Sequence, residues 1–389
     1  MNNIVFLSNI PFNDTGASSS VYFQYLERLL KISSKLELVF INETIAENDI
    51  YLFSKILYFP NNLKCTILKE STTLSFYPWS RYFYIYRLFR KNIYFQKTFD
   101  NIIFFDSDIG FLNIKISGTN KILWLGDLSF ELEWYNFIEN NDRSFKGWSF
   151  MLFAFVNKVF FYKLSSKNFN KIVCCSLSAQ YRLNRININA EFQTFPYPSR
   201  KSNREGILNS NFKKSRKFLF YGNLVGSGSA SGLKFLFNEI LPCAREIWGK
   251  DSFEIFIGGR TRLPKLYDPY IQLYSEIKYL GFISDLDSTL NDFTALLIPI
   301  SLPLGNRTRV LDGLSFGIPV VGHKALKKGN PFLIDGINCL LSESGPEFVN
   351  KLNKICLDFK FRNKLISNGF STYDLAYNPS NDHTIQLLN

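Results

Sequence analysis

The chain has 389 residues, enough for two domains that each bury a core of their own. A hydrophobic content of 46% with 20% charged residues predicts a globular, soluble chain and excludes a disordered one. The formal net charge of +12 asks for an acidic partner, which is a nucleic acid, an anionic membrane surface or a phosphorylated substrate. The six cysteines show no metal-ligand spacing and read as reduced core thiols, and two histidines leave little room for a His-rich metal site or a Ser-His-Asp triad.

The apolar run 4–9 predicts a strand that follows Met1-Asn2-Asn3 directly, with no signal peptide expected and a cytoplasmic chain implied. A loop rich in Gly and Ser, containing Gly16, comes next, and 21–30 has helical period. Strand, glycine loop and helix together open a Rossmann-like domain. Residues 36–42 and 102–105 are further strands. Between them, 79–95 has the period of a helix with Arg87, Arg90 and Lys91 on one face. That face fits either a helix lying on an anionic membrane or a core helix with a solvated charged side. Residues 121–125 form a strand that ends in Gly126-Asp127. Asp127 reads two ways, as an active-site carboxylate at a strand end or as the cap of the next helix. The segment 148–164 is apolar nearly all round, short for a span and interrupted by Asn157 and Lys158, which predicts a buried or interfacial helix. A strand at 171–176 and a helix from Leu177 complete this half.

Residues 199–217 are polar and nearly free of apolar side chains, so they read as a linker. The pattern restarts with a strand at 218–221, a glycine loop beginning Gly222-Asn223, and a helix at 233–239. A further strand ends in Gly258-Gly259-Arg260, whose arginine fits either a phosphate contact or plain surface. The apolar run 295–298 reads as a buried parallel strand. A turn with Pro303, Gly305 and Asn306 leads from it into a helix at 307–316 that Gly317 ends. Arg307 and Arg309 beside the free N–H groups of that helix start suit a diphosphate. Asp312, one turn on, suits a ribose diol. Helices at 347–357 and 361–368 follow.

The stretch from Asp312 to Val321, DGLSFGIPVV, resembles the Glu-Ala-Met-Ala-x-Gly-x-Pro-Val-Val segment of retaining glycosyltransferases of the GT-B fold, the large family 4 type. Gly305-Asn306-Arg307-Thr308-Arg309 is similar to the Gly-x-Arg-x-Lys that a subset of them carries just before it. The resemblance is continuous from about 218 to 369 and weak before that. It departs at Leu304, where the family usually has a Glu. The resemblance implies an α/β fold of two Rossmann-like, doubly wound domains with a cleft between them. It implies an acceptor domain at 1–198, a linker at 199–217, a donor domain at 218–370 and a tail at 371–389 packing back on the first domain. Donor contacts are then expected from Gly16, Gly222, Asn223, Arg260, Gly305, Asn306, Thr308 and Asp312, with Phe282 and Ile283 flanking the base. Asp127, Arg307 and Arg309 take the catalytic places.

The expected activity is retaining, metal-independent transfer of a sugar from a nucleotide-sugar to a glycan or lipid-linked acceptor. No cofactor is expected beyond that co-substrate. An anionic membrane surface remains a candidate partner, with a peripheral place on the inner face. Nucleic acid does not, because no binding motif or dense Lys/Arg stripe is present. Two alternatives stay open: a partner subunit that binds without transferring, as Leu304 allows, and a phosphorylase or epimerase on the same fold.

Overall fold

The computed structural model describes residues 1–7, 10–11, 17–41, 53, 62–68, 97–105, 116–128, 130–131, 134–135, 145–198, 202–209, 215–259 and 261–389. For 17–20 and several positions of 145–165 it describes the main chain only. The expected basic helix at 79–95, Gly16 and Arg260 lie outside the described residues. The chain divides into two compact units, Met1–Pro196 with Asp382–Asn389, and Tyr197–Asn381.

The first unit is a seven-stranded parallel sheet in the order β3-β2-β1-β4-β5-β6-β7. Its strands are β1 (Asn2–Leu7), β2 (Lys35–Ile41), β3 (Leu63–Leu68), β4 (Thr98–Phe105), β5 (Ser117–Leu125), β6 (Lys171–Cys174) and β7 (Glu191–Phe192). β1 is buried at every position after Asn2, as expected of a strand covered on both faces. Helix α1 (Ala17–Ile32) follows β1, α2 (Phe145–Ser166) precedes β6, and α3 (Leu177–Arg185) follows it. Ser176 caps α3 by accepting from the amide of Ala179. At the amino ends of the central strands Asn101 lies opposite both Asn3 and Asn120. Asn101 Nδ2 donates to Asn3 Oδ1 at 2.8 Å, and Asn120 Nδ2 donates to Asn101 Oδ1 at 3.0 Å. This amide ladder satisfies polar groups that would otherwise be costly to bury.

In the second unit, α4 (Arg204–Asn209) precedes a six-stranded parallel sheet in the order β10-β9-β8-β11-β12-β13. The strands are β8 (Lys217–Tyr221), β9 (Glu254–Gly258), β10 (Ile277–Gly281), β11 (Ala295–Ile298), β12 (Val320–His323) and β13 (Leu340–Ser342). Between them run α5 (Ser227–Phe235), α6 (Leu241–Trp248), α7 (Asp268–Leu273), α8 (Leu286–Leu290), α9 (Thr308–Phe316) and α10 (Leu326–Gly329). Helices α11 (Gly345–Leu357) and α12 (Phe359–Ala376) follow the sheet. Arg204 of α4 holds Asp374 of α12 through two bonds of 2.6 and 2.9 Å and lies 4.5 Å from the Phe370 ring centroid. The stretch expected to be a plain linker therefore contains a docked helix. The boundary expected at 370 falls inside α12.

The glycine and serine tract differs most from its sequence reading. Its helix starts at Ser227, not near 233, and a π-turn at Leu236–Ile240 joins it to α6. Low helix propensity argues against this start, and packing overrides it. Ser229, Ser231 and Gly232 are buried, and a Cβ on Gly232 would sit 3.1 Å from the Phe220 ring and 3.2 Å from Ile300. Small residues let the helix lie close on the sheet.

The last helix, α13 (His383–Leu388), belongs to the first unit. His383 Nδ1 lies 3.0 Å from Thr194 Oγ1, and the Leu388 carbonyl accepts from Asn120 Nδ2 at 3.0 Å. The Gln386 carbonyl accepts from Lys171 Nζ at 2.8 Å and from Gln193 Nε2 at 3.0 Å.

Candidate active site

In a doubly wound sheet the ligand site lies beyond the carboxyl ends of the strands, where the strand order reverses. In the second sheet that point falls between β8 and β11. β8 ends in Tyr221 and Gly222, and β11 leads through the 299–307 turn to α9. Neither α5 nor α9 has a side-chain cap on its first turn. Their amino ends meet here. Arg309 Nη2 donates to Ser229 Oγ at 2.6 Å, and a Cβ on Gly228 would come within 3.1 Å of the Arg307 guanidinium. Two helix starts and two arginines thus concentrate positive potential at one place.

Gly222 makes the approach possible. Its φ is +144°, and a Cβ there would run into the Arg309 guanidinium. Arg309 also lies 5.7 Å from the Phe220 ring centroid. Although the residue as a whole is half-buried, its Nη1 is beneath the surface and has no hydrogen-bond partner. Burial pushes the Arg309 pKa down to about 10, Arg307 adds to the fall, and Tyr221 and Asp312 oppose it. The group remains a cation at neutral pH with one donor unspent.

Arg307 is the N-cap residue of α9, and its amide donates to Asn330 Oδ1 at 3.0 Å. Asn330 Nδ2 in turn donates to Asn306 Oδ1 at 2.8 Å, while Asn306 Nδ2 is a second buried donor without an acceptor. Gly305, at φ +58°, sits so close to Gly329 that a Cβ on the latter would meet its carbonyl. Asn330 and the end of α10 therefore fix the turn that presents Asn306, Arg307, Thr308 and Arg309. Gly317, at φ +91°, closes α9 with its amide bonded to the Gly313 carbonyl.

Asp312 is buried on the inner side of α9, and its Oδ2 accepts from Tyr221 Oη at 2.6 Å. Asn223 holds the β8 loop, accepting from Thr261 Oγ1 at 3.1 Å. Ile283 packs onto Gly258 at the end of β9, and both it and Phe282, which is 68% exposed, line a groove of about 1080 Å³ along the sheet edge. The pair expected to flank a base thus lies together on the wall of that groove. Leu304, at the position where the family usually has a Glu, is buried.

Asp127 belongs to the first unit, exposed just after β5. Close to it is buried Glu131, whose Oε1 lies 2.9 Å from Arg182 Nε. Burial raises Glu131 to about 7, against the pull of Arg182 and with a further push from Asp127. Tyr221, Ser229, Asn330 and Glu131 went unnoticed in the sequence. Only Asn330, in a Gly329-Asn330-Pro331 turn, carried a local signal.

The fold is GT-B. Residues 215–358, within the second unit, match the family model described as Glycosyl transferases group 1. Across the chain, structures of glycosyltransferase type align end to end. Anabaena Alr3699/HepE in complex with UDP and glucose aligns at a TM-score of 0.63 and 10% identity over 100% of this chain and 98% of that one. A point mutant of S. aureus TarM, in complex with Fondaparinux, alpha-GlcNAc-glycerol and UDP, aligns at 0.66 and 10% identity over 100% of both chains. WaaG, a glycosyltransferase involved in lipopolysaccharide biosynthesis, aligns at 0.64 and 13% identity over 98% and 99%. No curated protein matches.

Proposed function

We propose that the chain transfers a sugar from a nucleoside-diphosphate sugar to a glycan or lipid-linked acceptor, with retention and without a metal ion. The observation that carries this is Arg309, a half-buried cation whose buried Nη1 is an unspent donor at the meeting of two uncapped helix starts. As the bond from the anomeric carbon to the diphosphate breaks, negative charge builds on phosphate oxygen. Arg307, Arg309 and the two helix starts stabilise that charge in place. Asp312 and Tyr221 take the ribose, Ile283 the base, and Gly222, Asn223, Gly305, Asn306 and Thr308 shape the loops that admit the phosphates. Asp127 serves on the acceptor side. Uridine is the first base to try, since HepE and TarM were solved with UDP. A lipid-linked acceptor would place the chain at the inner face of a membrane.

The test is release of nucleoside diphosphate from a panel of nucleotide-sugars, with EDTA present throughout. Release that Arg309→Ala abolishes supports the proposal. Activity lost in EDTA and restored by manganese overturns the metal-free mechanism. Buried Leu304 favours the second reading, a subunit that binds without transferring. Tight nucleotide binding with no turnover on any donor and acceptor would decide for it.

A further inference from the structure

Helix α2 lies in the first unit and carries none of the residues assigned above. One side of it belongs to the core: Phe155, Val159 and Tyr162 pack against the cluster that includes Leu128, Phe130 and Ile172. Another side is apolar and partly exposed to solvent. Leu152 is 56% exposed, Val156 55% and Leu164 40%, and Trp148, Phe153 and Phe160 are similarly half-exposed. At 100° per residue, positions 148, 152, 156, 160 and 164 advance by about 40° each, so they form one continuous stripe some five turns long. Large apolar side chains exposed in a row are uncommon on a folded chain, and they mark a surface that meets something.

Charge narrows the choice of partner. Residues 145–170 contain Lys146, Lys158, Lys163 and Lys167 and no acidic residue. Lys163 and Lys167 are exposed; the same helical count places Lys163 within the arc of the stripe, and Lys167 follows directly after the last residue of α2. A second copy of this chain meeting the stripe face to face would set lysines against lysines, with no carboxylate on either helix to balance them. No helix among the described residues is long and apolar enough to cross a membrane, and α2 is already fixed along one side by the core. An apolar stripe with cationic residues at its margin, held parallel to a surface, has the chemistry of an interfacial helix.

We propose that α2 is the face by which the first unit lies on an anionic lipid surface. Leu152, Val156 and their neighbours enter the headgroup boundary, and Lys163 and Lys167 pair with lipid phosphate. The proposal rests on the membrane-presented acceptor of the preceding section, which it deepens by placing the contact. It also moves that contact away from the basic face anticipated at Arg87, Arg90 and Lys91.

The test uses the full chain and vesicles of phosphatidylcholine alone or mixed equally with phosphatidylglycerol. Cosedimentation is expected with the mixed vesicles, weak with the neutral ones and reduced by high salt. Leu152→Glu/Val156→Glu and Lys163→Glu/Lys167→Glu should each weaken it by about tenfold or more, with the melting temperature kept because all four side chains are exposed. Binding undiminished in the Leu152→Glu/Val156→Glu variant overturns the proposal, as does a wild-type chain that binds neither vesicle. So does a wild-type dimer that the same variant splits, because the stripe is then a self-interface. UDP affinity, measured on the same samples, separates this from the catalytic reading. Vesicle binding with no nucleotide binding sinks that reading and leaves the docking face standing, and the reverse result sinks the docking face alone.

Discussion

The contact between Tyr221 and Asp312 permits a test in which each partner checks the other. Tyr221 Oη donates to Asp312 Oδ2 at 2.6 Å, and Asp312 is 3% exposed. A hydrogen bond to a buried charged group is worth roughly 1.5–3 kcal/mol, and removing the donor leaves the carboxylate short of one partner. Tyr221→Phe and Asp312→Asn should therefore each weaken UDP binding by about ten- to a hundredfold, taking roughly 1.4 kcal/mol per decade. Since both act through one contact, the double variant should lose little more than the worse single one. With a pKa of about 10, Arg309 is a cation at pH 7 in the parent chain. The assay is titration calorimetry with UDP and with its 2′,3′-dideoxy analogue. If the pair reads the ribose, neither substitution should matter much with the analogue, whose hydroxyls are already gone. Equal losses on both ligands would return the pair to a structural role and refute this assignment. Additive losses in the double variant would show that the two side chains act separately.

Gly222→Ala places a Cβ against the Arg309 guanidinium in a backbone conformation that L side chains rarely adopt. It should therefore depress UDP affinity about as far as Arg309→Ala does, by calorimetry. Glu131 has its pKa raised from 4.5 to about 7, so the native state holds a proton that the unfolded state releases. The stability this brings is complete below about pH 4.5 and lost as pH rises through 7, and Arg182, Asp127 and Tyr135 are the groups that face it. Glu131→Gln should flatten that slope in denaturant melts taken from pH 5 to 8. Leu387→Ala removes a fully buried side chain of α13 and should cost about 2–5 kcal/mol of first-unit stability by urea unfolding.

The donor half was legible because its signals are local. The apolar run of β11, the turn at Pro303 and Gly305, the periodic face of α9 and the αL position of Gly317 each declare themselves within a few residues. They also place Arg307 and Arg309 at a helix start, which is where the structure has them. What escaped depends on pairs far apart in the chain. Tyr221 reads as one more strand aromatic until the sheet order sets it beside Asp312, 91 positions away. The Ser-Gly tract at 226–232 reads as loop because propensity is judged residue by residue, whereas its helix is held by Phe220 and Ile300. In α2 the sequence is apolar on nearly every side, so period alone does not tell which side the core of the first unit takes. Only the packing of Phe155, Val159 and Tyr162 decides it.

The position of α13 has a consequence for the order in which the chain is made. Its residues complete the first unit, with His383, Thr384 and Leu387 buried there and the Asn101–Asn120 ladder extended to the Leu388 carbonyl. Yet they leave the ribosome only after all of Tyr197–Asn381 has emerged. During synthesis the amino-terminal sheet must wait, with the groove for α13 uncovered, while the second unit is translated and folds on its own core. At about 5–20 residues per second that wait is on the order of ten to forty seconds. The unit begun first is thus the last to be finished.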